Sequence, residues 1–124
     1  MKNHIARRRF PVALALLPSL VAAALLAGCS KVPDTLKIGV AQPLTGPLGA
    51  LGQDLLNGVN LAVQELNKDG FMVDGKRVKL EVVALDDKAD AATGKQVAQQ
   101  LVDAGVVAVI GHLNSGVSIE TAPI

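Results

Sequence analysis

The chain has 124 residues, half of them hydrophobic, with 12 Lys and Arg, 11 Asp and Glu and a formal net charge of +1. Four of the 12 positive charges (Lys2, Arg7, Arg8 and Arg9) precede Cys29, so residues 29–124 carry 8 basic against 11 acidic residues, near −3. With two Phe and no Tyr or Trp, the chain lacks the clustered cations and stacking rings of a nucleic-acid surface, and no nucleic-acid partner is expected.

The basic start runs into Phe10–Leu26, an almost unbroken apolar stretch. That charge order is the pattern of an export signal. A spanning helix needs about 20 apolar residues; this run is shorter and carries Pro11 and Pro18. It ends "LLAGCS", with the only cysteine at Cys29, and Leu26-Ala27-Gly28-Cys29 resembles a bacterial lipobox. The expectation is a lipoprotein signal peptide over residues 1–28, a lipid anchor on Cys29 and a tether over residues 29–35. The alternative is an ordinary signal with an incidental cysteine.

Next, "LKIGVA" (Leu36–Ala41) alternates as a strand. "PLTGPLGALG" (Pro43–Gly52) is rich enough in Gly and Pro to predict a loop. Leu55, Leu56, Val59, Ala62, Val63 and Leu66 then fall at helical spacing, with Gly70 as the stop. Gly58 inside that helix implies close packing on a sheet. A turn is expected at Asp74-Gly75. "VKLEVVALDD" follows as a half-wetted, edge-like strand, because Lys79 and Glu81 alternate with apolar residues. Asp90 or Thr93 opens a second helix through Val97, Leu101 and Val102, and Gly105 closes it. "VVAVIG" (Val106–Gly111) is apolar on both faces, which predicts a central strand.

This is an α/β pattern, βαβαβ, the start of a doubly wound parallel sheet with right-handed crossovers and strand order 2-1-3. The chain ends at "ETAPI", just after a third helix should begin. Three strands bury only a thin core, so the sequence reads as the N-terminal fragment of a longer protein, incomplete after its first unit.

Open parallel sheets bind ligands beyond the carboxyl ends of their strands, where strand order reverses. With order 2-1-3, the loops Pro43–Gly52 and His112–Ser118 flank that point. Gly111 and Gly116 have P-loop spacing, but Val117 occupies the lysine position, so nucleotide hydrolysis is not supported. Asp86 and Asp87 stand where a dinucleotide fold keeps a ribose-binding acid, yet Gly46, Gly49 and Gly52 do not make G-x-G-x-x-G. No metal site is expected, because His112 has no partner ligand at spacing and reads as structural. Asp86, Asp87 and Asp90 read as a solvated strand end plus a helix cap. Ser115 lacks a G-x-S-x-G elbow, so the chain is not read as an enzyme, and no cofactor is expected. A small carboxylate suits a serine beside unpaired helix-start amides. Pattern alone leaves that reading level with one in which Asn114, Ser115 and Ser118 merely cap their own helix.

The stretches "KIGVAQPLTGPLGALGQDLLNGVNLAVQELNKDG", "LDDKAD" and "VIGHLNSGVS" resemble the leucine/isoleucine/valine-binding proteins of ABC importers, which are type I periplasmic binding proteins. The resemblance runs from Leu36 to Ile124. It implies an exported two-lobed receptor in the periplasm or cell envelope, docking on the membrane permease of an ABC transporter and carrying no ATPase itself. Its cargo would be a branched-chain or other hydrophobic amino acid, and same-fold alternatives are amides, urea or another small acid. From a different class, a dinucleotide-binding oxidoreductase is the rival. By resemblance Ser115 binds the ligand α-carboxylate, and Asn114 and Gly116 line the same pocket. Leu51 replaces an aromatic residue that many relatives place over the ligand side chain. Ala89 and Asn114 match positions that form a disulfide in some relatives, a staple absent here.

Overall fold

The computed structural model describes residues 31–124, and the fold is contained in Val32–Ile124. The expected signal peptide and the Cys29 anchor lie outside the described residues. In chain order the elements are β1 (Thr35–Gln42), α1 (Gly49–Asp69), β2 (Met72–Val73), β3 (Lys76–Arg77), β4 (Lys79–Asp86), α2 (Ala91–Asp103), β5 (Ala108–Gly111) and α3 (Ser115–Thr121).

The three longer strands form one parallel sheet in the order β4-β1-β5. This is the 2-1-3 order expected from the half-wetted second strand and the all-apolar third. β1 pairs with β4 along its whole length, Thr35 opposite Lys79 through Gln42 opposite Asp86. It pairs with β5 from Ile38 opposite Ala108 to Ala41 opposite Gly111. Alternation then sends neighbouring residues of β1 to different helices. Ala41 packs with Val97 and Leu101 of α2, together with Val83, Leu85 and Val106. Leu36 and Ile38 face Leu55, Val59 and Val63 of α1 instead, across an apolar groove of about 560 Å³.

Two expectations need correction. The first helix starts at Gly49 rather than after Gly52. Gly49 and Gly52 are there for contact, not for a loop: a Cβ on Gly52 would overlap the carbonyl oxygen of Pro43. The first turn of α1 can therefore press against the end of β1. Gly58, expected to pack closely, has open space where a Cβ would stand. In the described sheet β1 lies between β4 and β5. Among the described residues β5 has a sheet neighbour on one side only. Val109 and Ile110 are 46% and 45% exposed.

Two local expectations hold. Asp74 and Gly75 both take positive φ, 49° and 78°, and turn the short β2–β3 hairpin, as two-residue hairpin loops require. Of the two candidate caps for α2, Asp90 does the work: its carboxylate accepts from the Thr93 amide at 2.8 Å and the Thr93 hydroxyl at 2.7 Å. Those bonds hold the Asp90 carboxyl below its ordinary range. Among the described residues no helix is long and apolar enough to cross a membrane.

Candidate functional site

β1 and β5 lie side by side and run the same way, so both end at one margin of the sheet. From there β1 leads to α1 and β5 to α3. The loops after β1 and β5 thus flank the point where strand order reverses, where ligand crevices of open parallel sheets form.

The first loop is held by Asp86, the last residue of β4. One carboxylate oxygen accepts from the Leu44 amide at 2.8 Å and the Lys88 amide at 2.9 Å. The other accepts from the Thr45 hydroxyl at 2.6 Å. Burial pushes the Asp86 carboxyl up, but the bonds from Thr45, Lys88 and Leu44 outweigh it and hold the group below its ordinary range. Leu51 stands beyond this loop, in the first turn of α1, and is 49% exposed.

The second loop starts at Gly111, where a Cβ would overlap the carbonyl oxygen of Ala41. No other residue allows β5 to end so close to β1. His112 follows, its ring buried and its Nδ1 2.6 Å from Asp87 Oδ2. The expectation of a solvated strand end fails at Asp87, which is 1% exposed. A carboxylate tolerates such burial only when paired and hydrogen-bonded. The His112 ring supplies one partner and the Ala89 amide, at 2.8 Å, the other.

Asn114 precedes α3, and its carbonyl accepts from the amides of Val117 and Ser118 at 3.0 and 3.1 Å. Its side chain makes no cap bond, and its Oδ1 is buried without a hydrogen-bond partner. Ser118 turns its hydroxyl back to the carbonyls of His112 and Asn114, at 3.3 and 3.4 Å. Ser115 and Gly116, the first two residues of α3, are exposed. Ser118 is therefore bonded within its own loop, whereas the Ser115 side chain enters no hydrogen bond among the described residues.

Sequence reasoning missed Gln42. It is buried at the end of β1, donates from Nε2 to the Ile110 carbonyl at 3.5 Å, and leaves Oε1 buried and unpartnered. The available signal was a polar residue closing the run Ile38–Ala41, which has no polar side chain. Among the described residues no group of three or more His, Cys, Asp or Glu side chains gathers at metal-binding distance.

A parallel sheet with reversed strand order and two helix-starting loops at one margin defines part of an open α/β lobe. The chain belongs to the periplasmic binding protein family, whose model matches residues 35–124. It is 47% identical over 87 residues to Leu/Ile/Val-binding protein homolog 2 of Brucella abortus, covering 70% of this chain and 23% of that protein. A branched-chain amino acid transporter substrate binding protein from Streptococcus pneumoniae, solved in complex with isoleucine, superposes with a TM-score of 0.63 at 37% identity. The match covers 72% of this chain and 25% of that one. A solute binding protein of an ABC transporter from Rhodopseudomonas palustris, in complex with 3,4-dihydroxy benzoic acid, gives 0.60 at 32% identity, covering 73% and 24%. The chain spans about a quarter of the length of these relatives.

Proposed function

We propose that this chain supplies part of one cleft wall of an exported solute receptor, and that Ser115 binds the carboxylate of a hydrophobic amino acid. The observation that carries the reading is the placement of Ser115. It is exposed, begins the helix after β5, and has a hydroxyl with no hydrogen-bond partner among the described residues. A hydroxyl donor there meets an anion without bringing a competing charge, and hydrogen bonds to charged groups contribute about 1.5–3 kcal/mol. The two ligands in the relatives' complexes, isoleucine and 3,4-dihydroxy benzoic acid, have different side groups and share a carboxylic acid. Asn114 and Gly116 flank Ser115, and Leu51 offers an aliphatic contact from α1 for the rest of the ligand.

The receptor would deliver its cargo to the permease of an ABC importer, held at the membrane through a lipid on Cys29. A second reading, an aromatic carboxylic acid, is favoured by the dihydroxybenzoate complex. Calorimetric titration of the intact protein with leucine, isoleucine, 3,4-dihydroxybenzoate, an amide and NAD separates these. Heat with leucine or isoleucine is the expected result, heat with the benzoate alone transfers the reading to aromatic acids, and heat with NAD alone removes it. Cys29→Ser should release the protein from membranes; a wild-type protein already free of them would contradict the anchor.

A further inference from the structure

The loop that carries Ser115 is fastened from the far side of the sheet. β4 and β5 lie on opposite flanks of β1, yet Asp87, just after β4, meets His112, just after β5, at 2.6 Å. The Asp87 amide donates to the Gln42 carbonyl at 3.0 Å, which ties the same residue to the end of β1. Asp87 thus contacts the ends of both other strands. The His112 carbonyl in turn accepts from Ser118, so both ends of the His112–Ser118 loop are held through one residue.

We propose that Asp87 and His112 are a positioning pair that presets the loop bearing Ser115, an assignment that rests on Ser115 as the carboxylate-binding residue. An ionised carboxylate only accepts hydrogen bonds, so the proton in this contact sits on His112 Nδ1. The bond is charge-assisted, and burial strengthens it electrostatically. A loop held in its binding shape before ligand arrives loses less freedom on binding, and affinity rises accordingly. The competing explanation is that the imidazole merely fills space beside Gly94, whose Cβ position lies 3.6 Å from the ring.

Nuclear magnetic resonance on the intact wild-type protein should show a slowly exchanging, downfield Nδ1 proton of His112 that moves in Asp87→Asn. Its absence would overturn the pair without any variant having to fold. His112→Asn puts an amide donor where Nδ1 stands, whereas His112→Leu fills the volume with no donor. The Asn variant should keep the amide exchange rates of Leu113–Gly116 and bind leucine within about threefold of wild type, while the Leu variant loses about tenfold, with affinities taken per folded molecule. Equal behaviour of the two variants would mean that the ring only fills space. If the wild type binds no carboxylate at all, the Ser115 reading fails, but the Nδ1 resonance and the exchange rates still decide the positioning role.

Discussion

The two loops beside the crevice are fastened by neighbouring carboxylates in opposite ways. Asp86 holds the β1–α1 loop from a half-exposed position, through the Leu44 and Lys88 amides and the Thr45 hydroxyl. Asp87 holds the β5–α3 loop from a fully buried position, through one imidazole. Water can replace what Asp86 loses. It cannot reach Asp87 without opening the fold. The same residue type therefore gives a replaceable fastening on one side and an all-or-none fastening on the other.

The largest effect should follow from His112→Ala, which strands the Asp87 carboxylate. Breaking a buried pair from one side costs about 3–5 kcal/mol, readable as a lower urea midpoint. Gly52→Ala comes next, since the new methyl must push α1 away from Pro43. Overpacking of this kind costs roughly 1–3 kcal/mol, and an unchanged midpoint would remove the contact argument for the start of α1. Asp86→Asn should cost less, on the order of 1 kcal/mol for its weakened hydrogen bonds.

The Asp86 effect should also depend on pH. Its folded-state pKa lies below its ordinary value of 3.8, so its stabilisation is complete above that value and is lost as pH falls through the lower, folded-state one. Wild type and Asp86→Asn should therefore converge in acid and separate toward neutrality. Smallest of all is Lys95→Gln. The 2.7 Å Lys95–Glu120 pair is exposed on both sides, and surface pairs add little. No measurable change in melting temperature is expected.

The parallel sheet and its order were legible because they rest on local signals. Lys79 and Glu81 marked β4 as a wetted flank and are exposed there; Gly70 marked the end of α1, and its amide closes the helix onto Leu66. The start of α1 was not legible, because Gly49 and Gly52 look like loop residues until Pro43 and Leu44 are seen packed on them. Asp87 was misread for a related reason. Its partner is 25 residues away and follows a strand on the other side of β1, and no spacing rule reaches across a sheet. Gln42 likewise shows its buried, unpaired oxygen only once β5 lies beside it. In the candidate site, then, Ser115, Asn114, Gly116 and Leu51 were marked by loop composition and resemblance; His112 was read as structural without its partner, and Asp86 and Asp87 as a solvated strand end rather than as the groups that hold these loops.

The most direct test is calorimetry of wild type and Ser115→Ala with leucine and with leucinamide, whose carboxylate is replaced by a neutral amide. The wild type should prefer leucine, and Ser115→Ala should weaken leucine about tenfold, near 1.4 kcal/mol, while barely changing leucinamide. Leucine binding to Ser115→Ala with wild-type affinity would contradict the carboxylate role of Ser115.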